Sequence, residues 1–242
     1  MVQGRRESGT RYAAMSDIGS REQNEDAYFA DRMDGYHVFA VADGLGGHAR
    51  GEVASRMAVE ILAEAAREGL PETPPAAVLD RAFQRINAAV YSYNQEKNLN
   101  AGTTLSAAIV SASGRCWIGT VGDSRTHIIT STSVWHTRDQ SYVQGLVDAG
   151  MLSPAEAMVH PKKNILTQAL GLAARVQIDL DERELAGAVL VISSDGLHDY
   201  VPARTIQKIV LAGDPDTACR RLIGAARDAA STDNTTVIVA RY

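Results

Sequence analysis

Cysteine is scarce: Cys116 and Cys219 are the only two in 242 residues. They fall in a strand-like and a helix-like stretch, which predicts two separate buried thiols rather than a disulfide or a redox pair. A reducing cytoplasm fits that usage. No Lys/Arg cluster is present to track a phosphate backbone, and the formal net charge of −5 argues against a nucleic-acid partner. No apolar run reaches the length of a membrane span. Arg5-Arg6 is not followed by an apolar segment of secretory type, so no leader is expected. Internal repeats and low-complexity tracts are also missing. What remains, 45% apolar and 22% charged residues, is the balance of a soluble globular enzyme of one large domain.

Four acids stand at the ends of strand-like runs. Val38-Phe39-Ala40-Val41-Ala42 leads into Asp43-Gly44, and Val189-Leu190-Val191-Ile192 leads almost directly into Asp195-Gly196. Ile118-Gly119-Thr120-Val121-Gly122 ends in Asp123, and Asp233 precedes Asn234-Thr235-Thr236-Val237-Ile238-Val239. A carboxylate on a buried strand's edge is a rigidly held hard oxygen donor, and the following glycine is expected to turn the chain sharply beside it. A single Asp-Gly is more often only a turn. Several such acids, joined by Glu25-Asp26 in the segment that also carries Arg21, would repel one another unless cations neutralise them, and oxygen donors select Mg²⁺ or Mn²⁺.

Periodicity supplies the scaffold. Asp34-Gly35 predicts a hairpin between a strand through Ala27–Ala30 and a return strand over Tyr36–Ala42. Val53, Met57, Ile61 and Ala65, flanked by Ala54, Ala58 and Leu62, predict a helix with a broad buried face. Thr73 is a candidate N-cap for a second helix that turns Leu79, Phe83, Ile86, Val90 and Tyr93 inward. Ser113-Gly114 joins strands Leu105–Val110 and Cys116–Val121, and a further strand runs through His127–Ile129. Ser153-Pro154-Ala155-Glu156 has capping-box spacing. Residues 164–171 read as another short helical piece, and Asp214-Pro215 opens a last helix with Cys219, Leu222, Ile223 and Ala226 inside. Blocks of strands and helices favour two antiparallel sheets flanked by helices over a doubly wound fold.

Taken in order, the motifs resemble those of the metal-dependent serine/threonine protein phosphatases of the 2C type, the PPM family. The matching pieces are Gly19 with Asn24-Glu25-Asp26, Val41-Ala42-Asp43-Gly44-Leu45-Gly46-Gly47-His48, Gly102-Thr103-Thr104 and Val121-Gly122-Asp123-Ser124-Arg125. His160-Pro161, Leu170-Gly171, Ser193-Ser194-Asp195-Gly196-Leu197 and Asp233-Asn234-Thr235-Thr236-Val237 follow. Each piece is weak alone; the ordered set, running from about residue 10 to about 240, is specific.

That resemblance implies an α+β fold: a central β-sandwich of two antiparallel sheets, helices on both outer faces, and a di-metal site at one edge. It implies one catalytic domain over residues 1–242 with a flap at 144–169. Asp43 would bridge two Mn²⁺ or Mg²⁺ ions, the Gly44 carbonyl would bind one, and Asp195 and Asp233 the other. Glu25 would act through metal-bound water, and Asp123 would help hold a weaker third ion with Asp195. Asp26, His48 and Asn234 would support the ligands, and Arg21 would receive the substrate phosphate. The implied reaction is hydrolysis of phosphoserine or phosphothreonine in proteins by metal-activated water, with no phosphoenzyme.

Some positions depart from the family pattern. Leu45 stands where some members carry a histidine offered as the leaving-group acid, so that role has no assigned residue; His48 reads as a structural histidine. Gln140 replaces the histidine of Thr-x-Asp-His-Ser, leaving Asp139, and Gln168 replaces a usual arginine, with Lys162-Lys163 nearby as substitute charge. His160 reads equally as a substrate contact or a surface residue. His198 reads as a supporting group and His37 as packing. Ser124-Arg125 reads as a loop organiser, and Trp117 and Trp135 as core or sheet-face aromatics.

The expectation is a stand-alone, monomeric, cytoplasmic bacterial phosphatase opposing a Ser/Thr kinase. That kinase and a forkhead-associated-domain protein are its expected partners, as in some type VI secretion systems. An inactive phosphoprotein-binding regulator of the same fold is the alternative, and a two-metal hydrolase of small phosphoesters or nucleic acid a further one, with the acidic balance against nucleic acid.

Overall fold

The computed structural model describes residues 11–46 and 50–242, together with the backbone of 3–6. Twelve strands and seven helices are seen among these residues. One sheet has the order β1 (Gln3–Arg6), β2 (Arg11–Asp17), β12 (Thr235–Arg241), β11 (Val189–Ser193), β8 (Arg125–Ile129), β9 (Val134–His136). The other runs β10 (Asp179–Glu184), β7 (Arg115–Val121), β6 (Leu105–Ser111), β4 (Tyr36–Leu45), β3 (Asp26–Met33), with the two-residue β5 (Gly102–Thr103) beside β4. The pairings are antiparallel throughout, as expected of a sandwich.

Helices α1 (Arg50–Gly69) and α2 (Pro75–Lys97) cover one outer face, and α6 (Ala203–Ala212) and α7 (Pro215–Asp228) the other. The central strands are therefore buried on both sides, which is why they read as continuous apolar runs rather than alternating ones. Along β4, Val38, Ala40 and Ala42 face the α1/α2 layer while Phe39 and Val41 enter the space between the sheets. On β11, Leu190 and Ile192 face that same inner space, and Val189 and Val191 pack under α7. Phe39 is fully buried, and truncating such a side chain typically costs about 3–5 kcal/mol.

Four sequence readings are corrected. Asp43-Gly44 is not a turn: β4 continues through it to Leu45, because β5 supplies a partner for Gly44 and Leu45. The chain turns at Gly46, where φ is +129°. Residues 164–171 are not helical, since Leu166 bridges to Ser141 and Leu170 to Thr103. Thr73 does not cap α2: Pro74 holds the N-cap position with no side-chain bond, and Pro75 begins the helix without an N–H to satisfy. Finally, Asn94 rather than Tyr93 is buried on α2, donating to the carbonyls of Ala101 and Gly171.

The remaining helices follow their local signals. Asp214 caps α7 by accepting from Thr217 N–H at 3.0 Å, and Ser153 and Glu156 form the capping box of α4 (Pro154–Met158). The most buried stripe of α1 runs through Ala54, Ala58 and Leu62, with Met57, Ile61 and Ala65 flanking it. Both cysteines are free and buried, and burial pushes each thiol up to about 12. His37 packs against the rings of Tyr12 and Phe39, while Trp117 lies against the α1/α2-side core and Trp135 against the core between the sheets.

Candidate metal centre and active-site cleft

Strand ends from both sheets open into a cleft of about 490 Å³ whose wall includes Asp43, Asp123, Asp195, Asp233, Glu25 and Arg21. Gly44 and Asn234 also line it. Asp43 comes from the end of β4, Asp123 from the loop after β7, Asp195 from the first turn of α5 (Asp195–His198), and Asp233 from just before β12.

Asp43 is held from its backbone. Its N–H donates to Thr104 Oγ1 (3.0 Å), and its carbonyl accepts from Thr104 N–H (2.9 Å) and Thr103 Oγ1 (3.0 Å). Gly44 donates to the Glu25 carbonyl at 3.1 Å. A Cβ on Gly44 would lie 2.3 Å from the Gly51 backbone, so only glycine lets α1 approach this strand so closely. Gly196 plays the same part at α5, where an added Cβ would sit 2.0 Å from the Asn234 carbonyl oxygen. The second Asp-Gly thus serves helix-to-strand contact, not a turn.

Asn234 ties the cleft's arginine loop in place. Its Nδ2 donates to the carbonyls of Ile18 and Gln23, and its Oδ1 accepts from Glu25 N–H at 2.8 Å. Asp26 stands across the β3–β4 ladder from Asp43 and does not itself line the cleft. Its Oδ2 accepts from Ser194 Oγ at 2.7 Å, linking it to the residue before Asp195. Arg21 Nη2 donates to Asp233 Oδ2 at 2.8 Å.

The electrostatics are those of crowded acids. Burial, reinforced by Asp26, Asp195 and Asp123, pushes Asp43 well above the usual carboxylate range, and burial with Asp123 and Asp199 does the same to Asp195. Burial chiefly raises Asp123 to about 7 and Asp26 to about 6. Asp26 Oδ1 and Asp195 Oδ1 are buried without a hydrogen-bond partner. Buried, unpartnered, mutually repelling carboxylate oxygens are what divalent cations relieve. Among the described residues, no three His, Cys, Asp or Glu side chains close round a single point. Hard cations such as Mg²⁺ keep several waters and take only one or two carboxylates each. Acids spread along the wall of an open cleft therefore fit such ions, and a tight all-protein cage is not required.

Other expected residues fall as follows. His48 lies outside the described residues. His198 is buried, does not line the cleft, and meets Ser193 Oγ at 3.0 Å through Nδ1. His160 is also off the cleft, its Nδ1 accepting from Lys162 N–H at 3.1 Å. Ser124 Oγ pairs with Thr104 Oγ1 (2.7 Å), and Arg125 grips both oxygens of Asp139 (2.7 and 2.6 Å). Gln140 is buried and brackets Gly122: its Oε1 accepts from Gly122 N–H (3.0 Å) while its own N–H donates to the Gly122 carbonyl (2.9 Å). Gln168 Oε1 accepts from Gln177 N–H at 3.1 Å, so it serves the backbone rather than a cleft charge. Lys162 rests over the Tyr142 ring and Lys163 pairs with Asp199.

The sequence reading did not single out Glu22, Gln23, Asn164 and Leu166, which also line the cleft. Nothing in their local pattern distinguishes them from other polar or apolar loop residues; their position depends on how the 18–25 loop and the 141–167 segment are pinned.

Residues 15–214 match the family model for protein phosphatase 2C. The serine/threonine protein phosphatase PstP of Mycobacterium tuberculosis is 37% identical over 235 residues, which cover 95% of this chain; the match spans 44% of that relative's length. The crystal structure of serine/threonine phosphatase Stp1 from Staphylococcus aureus superposes with a TM-score of 0.91 at 32% identity, covering 99% of both chains. The catalytic domain of PstP in complex with two manganese ions gives a TM-score of 0.85 at 35% identity over 96% of this chain and 97% of that one.

Proposed function

The chain belongs to the protein phosphatase 2C family, and we propose that it is a metal-dependent serine/threonine protein phosphatase. The observation that carries this reading is the meeting of Asp43, Asp123, Asp195 and Asp233, from four separate strand ends, in one cleft beside Arg21. Two Mn²⁺ or Mg²⁺ ions would be held by Asp43, the Gly44 carbonyl, Asp195 and Asp233, with Glu25 acting through water. A third, weaker ion would use Asp123 and Asp195. The two manganese ions in the structure of the PstP catalytic domain support a site for two cations. The chemistry such ions supply when bound is Lewis acidity toward water and toward phosphoryl oxygens.

The chain's own residues do the rest. Arg21, more than half exposed, offers a guanidinium fork that matches phosphoryl oxygens in a way lysine does not. Asp26, through Ser194, and Asn234, through Glu25, hold the strand ends that present the acids. Neither cysteine lines the cleft and both thiols are pushed to about 12, so neither is suited to a thiolate phosphoenzyme. The described catalytic unit is read as one domain with a flap at 144–169, whose Asn164 and Leu166 border the cleft.

The substrates would be phosphoserine and phosphothreonine proteins, among them a cognate Ser/Thr kinase and a forkhead-associated-domain protein, met by a monomer in the cytoplasm. No helix among the described residues is long and apolar enough to cross a membrane. The deciding experiment is hydrolysis of a phosphothreonine peptide by the purified protein with Mn²⁺, beside Asp195→Asn. Turnover by the parent and none by the variant supports the enzyme. Phosphopeptide binding without turnover in any divalent ion would leave the inactive regulator, and preference for free nucleotides a small-phosphoester hydrolase.

A further inference from the structure

Lys163 and Asp199 join two walls of the cleft that are 36 residues apart in sequence. Lys163 Nζ lies 2.5 Å from Asp199 Oδ2, with the two side chains 32% and 27% exposed, and 5.7 Å from the centre of the Tyr200 ring. Asp199 closes the single helical turn that begins at Asp195, its N–H donating to the Asp195 carbonyl at 3.0 Å. On the other side, Lys163 is followed directly by Asn164, and Asn164 and Leu166 line the cleft. A pull on Lys163 therefore acts on one wall, and a pull on Asp199 acts on the turn that carries Asp195.

The rest of the segment is anchored mainly at its base. Ile165 accepts from Tyr142 N–H (2.7 Å), Leu166 bridges to Ser141, and Thr167 N–H donates to the Gln140 carbonyl (2.8 Å). Arg138 pairs with Asp148 on the more exposed flank. Burial works against the Lys163 ammonium, yet Asp199, Tyr200 and Asp195 together raise its pKa, so it stays charged at neutral pH. A half-buried pair beside a ring is less screened than an exposed one.

We propose that Lys163 and Asp199 are positioning residues whose ion pair clamps the 144–169 segment against the Asp195 turn, so that Asn164 and Leu166 border the bound substrate. The pair touches neither the phosphate nor the acids' cation-facing oxygens; it sets where the wall stands. This rests on the phosphatase reading for its kinetic consequence, but the clamp itself is a property of the unliganded chain. Loss of the pair frees the wall, which raises KM for a phosphopeptide more than it lowers kcat.

The test compares Lys163→Met, Asp199→Asn, the double variant and Lys163→Arg in the full chain. One readout is limited proteolysis within residues 144–169 without substrate; the other is kcat and KM on a phosphothreonine peptide. Each single variant is expected to raise the cleavage rate and KM about fivefold. The double variant should be no worse than either single one, because the same contact is lost, and Lys163→Arg should behave as the parent. Unchanged cleavage in the single variants, or effects that multiply in the double one, would overturn the clamp. If the parent fails to turn over the peptide, the phosphatase reading falls, and the cleavage rates still decide the clamp.

Discussion

Arg21 and Asp233 meet at 2.8 Å although 212 positions separate them. The proposed phosphate receiver and one proposed cation ligand are thus paired with each other. Asp233 is the largest influence on the Arg21 guanidinium, raising its pKa further. A cation at Asp233 would release the arginine for the substrate.

Replacing Arg21 with alanine removes a charge-assisted contact to the phosphoryl group, worth about 1.5–3 kcal/mol. The expected result is a loss of about 10- to 150-fold in kcat/KM on phosphopeptides. Inorganic phosphate should weaken as an inhibitor by a similar factor. Arg21→Lys should recover only part of the loss, since the ammonium lacks the planar fork. Steady-state kinetics with and without phosphate checks all three.

Asp195→Asn takes one charge out of a crowded set. In chelator the acids have no cation to offset them, so the variant should be more stable than the parent by ~1 kcal/mol, seen as a Tm about 2–4 °C higher. Mn²⁺ should reverse the order, because the parent gains binding free energy that the variant largely forfeits. Thermal melts in EDTA and in Mn²⁺ measure both.

His127 is buried on β8, where Arg125, His136 on β9 and His198 on α5 face it. Burial, then Arg125 and His136, hold its pKa well below the ordinary value of 6.5. The unfolded chain therefore takes up a proton that the folded chain refuses. Stability from this group is complete above about pH 6.5 and is lost as pH falls below it, by up to ~1.4 kcal/mol per pH unit until the folded pKa is reached. Denaturant melts between pH 5 and 7.5 should show a shallower slope for His127→Leu than for the parent.

Gln140→Ala would leave the buried Gly122 N–H without its side-chain acceptor. A cost of about 1–3 kcal/mol is expected in urea unfolding. Because Gly122 precedes Asp123, the third cation site proposed at Asp123 should loosen as well, read as a lower Mn²⁺ affinity in a binding isotherm of the folded variant.

Much of the scaffold was legible because its signals are local. Asp34-Gly35 and Ser113-Gly114 mark real hairpins, and Asp214 and Ser153 cap the helices they precede. β10 was not legible: Asp179–Glu184 is a largely exposed, charged edge strand whose only partner among the described residues is β7, so its sequence carries no apolar run. Nor was β2 recognised, because the small residues of Arg11–Asp17 become a strand through pairing with β12, more than two hundred residues away.

By itself the order of residues determined the candidates: acids at the ends of buried runs, an arginine near Glu25-Asp26, two isolated thiols, and the sheet-and-helix blocks that carry them. It did so because strand burial, turn chemistry and capping depend on near neighbours. Only the tertiary structure decided that Asp43-Gly44 continues a strand, that residues 164–171 stay unwound, that Arg21 rests on Asp233, and that Lys163 reaches Asp199. Those outcomes depend on which distant strands pair, and sheet pairing is settled by burial summed over the whole chain rather than by any local run of residues.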